Sequence, residues 1–102
     1  MRHVAFIGFA GCGACDGILE SVVKPLMERY PNNVSAHYGW DETIARVNKR
    51  KEITNVPLFV IENGGHEDFR YVGRLGIEEL AAIIECERDA ISLDDVFGGG
   101  AR

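Results

Sequence analysis

The chain has 102 residues, a net charge of −5 and 46% hydrophobic residues. That length makes one domain with a single modest core the default. No run approaches the ~20 apolar residues of a membrane-spanning helix, and an acidic balance without a basic cluster argues against nucleic acid as a partner.

The run Val4-Ala5-Phe6-Ile7-Gly8-Phe9 is short, continuous and apolar, the pattern of a buried strand. Met1-Arg2-His3 ahead of it gives the outline of a secretory leader. However, the run is six residues long and no small-residue cleavage site precedes the cysteines. Three cysteines, one left unpaired, fit a reducing compartment better than a disulfide scaffold. A cytoplasmic location is the expectation.

Phe9-Ala10-Gly11-Cys12-Gly13-Ala14-Cys15 comes next, and the chain is organised around it. Glycines at 11 and 13 supply a tight turn. Beyond it Ile18, Leu19, Val22, Val23, Leu26 and Met27 fall at helical spacing. Cys12 therefore stands at a helix N-terminus, with Cys15 about one turn further in. Side-chain roots three apart on a helix are about 5–6 Å apart. A disulfide tolerates about 4.4–6.8 Å between Cα atoms, so this pair can close. Free N–H groups and the helix dipole favour negative charge at that end, and such sites lower a thiol's pKa. Cys12 is the expected attacking thiolate and Cys15 the resolving thiol. Asp16 should slightly hinder ionisation of Cys15. A structural disulfide, two inert thiols and half of a zinc site are the other readings of the pair.

Pro25 lies inside the helical pattern, which predicts a kink or break near Ser21 to Lys24 in a helix from Gly13 to Tyr30. Pro31-Asn32-Asn33 ends that helix. Val34-Ser35-Ala36-His37-Tyr38 alternates as a second strand, parallel to the first because a helix separates them. Trp40 follows, at the sheet edge where ligands collect; it is either a platform for substrate or a plug against the next helix. Asp41 is the expected N-cap of a helix from Glu42 to Lys51, with Arg46, Lys49, Arg50 and Lys51 as a solvated basic face. Pro57 opens the apolar strand Leu58-Phe59-Val60-Ile61. Asn63-Gly64 signals a hairpin to Phe69-Arg70-Tyr71-Val72, and Gly73 breaks that strand. Ile77, Leu80, Ala81, Ile83 and Ile84 mark a final amphipathic helix. Ser92 is a cap for one further turn in the tail, and disorder is expected from Gly98 onward. Cys86 reads as a small core residue. His3, His37 and His66 lack the spacing of zinc ligands, so no metal is expected.

Three features resemble the thioredoxin/glutaredoxin superfamily over residues 3–87: Cys12-Gly13-Ala14-Cys15 after the first strand, Val56-Pro57 at the third, and Val72-Gly73 before the last helix. The resemblance implies an α/β fold of the short thioredoxin-like form. Its sheet has four strands, mixed, in the order β-α-β-α-β-β-α, with helices on both faces. Residues 1–88 would be the domain and 89–102 a partly disordered tail. The resemblance also implies a cis Pro57 beside the cysteines, a Val56 backbone that pairs with an extended substrate segment, and a Gly73 that admits that segment. Gly11, Gly13, Ala14, Val56, Pro57, Gly73 and Trp40 then form the substrate surface.

The implied activity is that of a protein-disulfide reductase. It would draw electrons from a reductase or a low-molecular-weight thiol, work as a monomer, and use no cofactor beyond the Cys12–Cys15 disulfide. The alternative is a binding module that uses the cysteines for a metal, or the Pro57 edge for a partner protein. Departures from the family are clear. Gly11 stands where thioredoxins carry tryptophan, Ala14 where they carry proline, and Phe6 where they bury an aspartate. Gly73-Arg74-Leu75-Gly76 lacks the acid with which glutaredoxins hold glutathione. The Gly13-Ala14 pair adds no cation to stabilise a thiolate strongly, which predicts a reducing protein.

Overall fold

The apolar run forms β1 (His3–Gly8), in which every residue from Val4 to Gly8 is buried. A strand covered on both faces needs neighbours on both edges as well. In this computed structural model, which describes residues 1–97, β1 pairs with β2 (Val34–Tyr38) in parallel and with β3 (Leu58–Asn63) antiparallel. β3 continues antiparallel to β4 (His66–Val72), giving a mixed sheet of order β2-β1-β3-β4. The disorder expected from Gly98 onward falls outside the described residues.

Side chains alternate between the faces of a strand. Val4, Phe6, Phe59 and Ile61 therefore share one core, while Ala5, Ile7, Leu58 and Val60 share the other. The first face is covered by a long broken helix and by α4 (Ile77–Glu85). The second is covered by α3 (Glu42–Arg50), through Ile44 and Val47. Helices thus lie on both faces.

The broken helix runs as α1 (Gly13–Ile18), a π-helical turn (Leu19–Val23) and α2 (Lys24–Arg29). The break begins slightly earlier than the sequence predicts. Proline lacks an N–H, and its ring clashes with the carbonyl four residues back. The turn ahead of Pro25 is widened instead, so that the Lys24 N–H reaches the Leu19 carbonyl five residues back.

Asp41 caps α3 as expected, its Oδ1 accepting from the Ile44 N–H at 2.8 Å. The basic face of α3 is less free than its composition implies. Arg46 and Arg50 bond the buried Glu62 at 3.2 and 2.8 Å, and Arg50 also bonds Glu67 at 3.0 Å. The hairpin turn is Gly64-Gly65 rather than Asn63-Gly64, because Asn63 pairs with His66; both glycines have positive φ, 60° and 92°. β3 starts at Leu58, so Pro57 lies just ahead of it, and the Val56-Pro57 peptide is cis.

Two segments are tied down by groups that a linear reading passes over. Ile91 is buried in the main core, and α5 (Leu93–Phe97) follows a reciprocal cap in which Asp95 Oδ2 accepts from the Ser92 N–H at 2.7 Å. Arg2, which looks like the flank of a leader, is 1% exposed and donates to Asp68 Oδ2 at 2.7 Å. Its other nitrogens donate to the Cys86 and Arg88 carbonyls, each at 2.7 Å. Among the described residues no helix is long and apolar enough to cross a membrane.

Candidate functional site

Cys12 is the N-cap residue of α1, with extended backbone, and its Sγ accepts the Cys15 N–H at 3.1 Å. The loop before it closes through the Cys12 N–H on the Phe9 carbonyl at 3.1 Å, with Gly11 at φ 88°. The two cysteines form a disulfide with Cα atoms 5.2 Å apart. Cys12 is half-buried and Cys15 wholly buried, so a partner approaching from outside meets the Cys12 sulfur first. Gly11, Gly13 and Ala14 are exposed around it.

Strand register brings the remaining site residues to one edge of the sheet. Gly8 lies opposite Tyr38, Ile7 opposite Leu58, and Leu58 opposite Val72. The segments beyond those residues all emerge at that edge: the cysteine loop, Gly39-Trp40, Val56-Pro57 and Gly73. Pro57 is buried and Val56 half-buried. Gly73, at φ 122°, donates its N–H to the Pro57 carbonyl at 2.9 Å, which joins two of the expected substrate contacts directly. Trp40 is 68% exposed, so it does not plug the helix that follows. Phe9 and Val72, which spacing along the chain does not single out, are exposed at the same edge. Strand ends mark them, but their exposure depends on what packs above them.

Gly8 and Tyr38 are, in a linear reading, strand residues and nothing more. A Cβ on Gly8 would lie 3.0 Å from Cys15 Cβ and 3.0 Å from Tyr38 Cζ, so the glycine lets both approach. A lone glycine inside an apolar strand is the sequence signal for such an approach. The Tyr38 ring packs 6.3 Å from Phe6, which in turn lies 5.1 Å from Phe59. Phe6 and Cys15 belong to the same core, which is thus aromatic where a buried acid would otherwise stand. The Tyr38 hydroxyl donates to Asp16 Oδ1 at 3.4 Å. Burial, followed by the Asp16 charge and hydrogen bond, raises its pKa above 10.0.

Below the edge, His37 Nδ1 meets Asp41 Oδ2 at 2.6 Å and His37 Nε2 meets Ser35 Oγ at 2.7 Å, tying β2 to the start of α3. Cys86 is half-buried at the C-cap of α4 and packs beside the main core. Among the described residues, no three His, Cys, Asp or Glu side chains come together as a metal site.

A mixed four-stranded sheet with helices on both faces, and solved structures that superpose on it, settle the architecture. The fold is thioredoxin-like. Thioredoxin-2, a component of the malaria parasite protein secretion machinery, superposes with a TM-score of 0.64 at 13% identity, covering 83% of this chain and 82% of its own. Thioredoxin f2 of Chlamydomonas reinhardtii superposes at 0.61 and 16% identity, covering 81% and 75%. The periplasmic thioredoxin SoxS of Paracoccus pantotrophus superposes at 0.58 and 19% identity, covering 82% and 96%. At these identities the likeness is one of fold. No protein-family model matches the sequence, and no curated protein matches it.

Proposed function

We propose that the protein is a thiol–disulfide oxidoreductase that reduces protein disulfides. The observation that carries this reading is the asymmetry of the cysteine pair. Cys12 is reachable and receives a helix-start N–H on its sulfur, while Cys15 is buried behind it. That N–H and the helix dipole stabilise a thiolate on Cys12 once the pair is reduced. Cys12 then attacks a substrate disulfide, and Cys15 resolves the mixed disulfide. The thioredoxin-like neighbours support the same chemistry.

An extended substrate segment would lie along the sheet edge against the Val56 backbone, with Pro57, Gly73, Gly11, Gly13 and Ala14 lining the approach and Trp40 as an exposed apolar contact. Electrons would come from a reductase or a low-molecular-weight thiol. The protein would act as a cytoplasmic monomer.

Insulin reduction tests the reading. Wild type should precipitate the insulin B chain in the presence of dithiothreitol faster than dithiothreitol alone, and Cys12→Ser should fall to the uncatalysed rate. Cys15→Ser should accumulate a covalent adduct with substrate that dithiothreitol releases. A wild type no faster than the reagent alone would refute the activity. An adduct formed by Cys12→Ser instead would reverse the roles of the two sulfurs.

A further inference from the structure

The proposed cycle leaves the proton of Cys15 without an assigned destination, and assigning one presupposes that cycle. In the resolving step Cys15 Sγ attacks Cys12 Sγ of the mixed disulfide. The Cys12–Cys15 bond forms, the bond from Cys12 to the substrate sulfur breaks, and that sulfur leaves with the electron pair. The dithiol gives up two electrons and the substrate disulfide takes both. Cys15 enters as S–H and ends without its hydrogen, so a group must remove a proton from a side chain with no exposed surface.

The surroundings narrow the choice. On β1, Gly8 lies against Cys15 and Phe6 belongs to the same core, and neither titrates. Tyr38 of β2 packs against the same Gly8 that Cys15 packs against, Cζ and Cβ each 3.0 Å from one point. The hydroxyl on that same Cζ donates to Asp16 Oδ1 at 3.4 Å, and Asp16 is exposed. The helix side contributes Asp16 and, acting on Tyr38 at longer range, Glu20 of the π turn. The hydroxyl end of the tyrosine therefore lies beside both the buried Cys15 and a solvated carboxylate.

We infer that Asp16 is the terminal acceptor of the Cys15 proton, and that the Tyr38 hydroxyl relays it. The hydroxyl accepts the thiol proton as it passes its own to Asp16 Oδ1, and Asp16 releases it to water. The departing substrate thiolate takes its proton from solvent. Burial and the two acids keep Tyr38 an O–H at neutral pH, ready to donate. The substrate class is set by the same route: no base has to be supplied by the partner, so small disulfides are resolved as readily as protein ones.

Single turnover on a chromogenic aromatic disulfide tests this, with the full chain in a Cys86→Ser background. Attack by Cys12 releases a first arylthiolate at a rate that depends on concentration. Attack by Cys15 releases the second at a rate that does not. Wild type should hold a high second rate down through neutral pH. In Asp16→Asn and in Tyr38→Phe the second rate should fall by roughly tenfold or more near pH 6–7 and rise in proportion to hydroxide, since a general base contributes about 10²–10⁴-fold and water replaces part of it. Asp16→Glu should restore the profile.

The sign is decisive. If Asp16 acted only as a nearby negative charge, its removal would ease ionisation of Cys15 and speed the second release. A faster Asp16→Asn, or an unchanged profile in both variants, would overturn the inference. An unchanged first release shows that the site is still folded. A wild type that releases no arylthiolate through Cys12 would overturn the oxidoreductase reading itself, and this inference with it.

Discussion

Replacing Arg2 with methionine removes a guanidinium while keeping most of its volume. In the native chain three of its nitrogens are bonded, to Asp68 Oδ2 and to the Cys86 and Arg88 carbonyls, all at 2.7 Å. Arg2 and Asp68 side chains are each 1% exposed. Without the arginine, the buried carboxylate keeps His66 Nε2 at 3.0 Å, from a largely exposed ring. Breaking a buried pair from one side costs about 3–5 kcal/mol. The two carbonyls add less, because Cys86 is half-buried and Arg88 exposed, so water can replace their donor. The expected loss is therefore about 3–5 kcal/mol, out of the about 5–15 kcal/mol that holds a domain together.

Urea unfolding followed by circular dichroism measures it. With a slope of about 2 kcal/mol/M the midpoint should fall by about 1.5–2.5 M. The double variant Arg2→Met/Asp68→Leu should regain most of that loss, because no charge is then left buried. A single-variant loss below about 1 kcal/mol, or a double variant no more stable than the single, would refute the reasoning.

Three further outcomes are expected. Gly8→Ala places a methyl 3.0 Å from Cys15 Cβ and Tyr38 Cζ, where carbon atoms prefer about 3.5–4.0 Å. Overpacking of about 1–3 kcal/mol outweighs the about 0.4–1 kcal/mol gained from a stiffer unfolded chain, so the thermal midpoint should drop by several degrees; an equal or higher midpoint contradicts the packing. Asp41→Ala should cost about 1 kcal/mol as a lost N-cap. The Asp41 carboxyl is held below 3.8, chiefly by the Ile44 N–H and then by His37, so this stabilisation is present above 3.8 and fades as pH falls through the lowered value. Urea titrations of both chains at neutral and acid pH should show the gap closing; a gap independent of pH contradicts it. His3 is held below 6.5, chiefly by burial, with His37 and Arg46 adding to the shift and Glu62 opposing it. Below 6.5 the unfolded chain takes up that proton first, so stability should decline on acidification until the folded value is reached. His3→Gln should flatten the decline, and an unchanged slope would count against it.

Much of the fold is legible in the sequence because it is decided by neighbours within a turn or two. The apolar run that becomes β1, the helical spacing after Cys15, the disturbance ahead of Pro25, the Asp41 cap and the glycine turn before β4 all depend on local geometry. The nearness of Cys12 and Cys15 belongs to the same class, since three residues at a helix start bring the sulfurs together wherever that helix packs.

What only the tertiary structure decides is which distant residues become neighbours. Arg2 is a buried anchor because β4 and the segment after α4 close over it, not because of anything beside it in the chain. Arg46 and Arg50 turn from a solvated face into partners of Glu62 through the packing of α3 on the sheet. Trp40 stays exposed, and Tyr38 comes to lie against Gly8 beside Cys15 because the β1–β2 register places Gly8 opposite Tyr38. Spacing along a chain sets distances of a few residues; contacts across strands and layers depend on register and on how side-chain volumes fill the space between them.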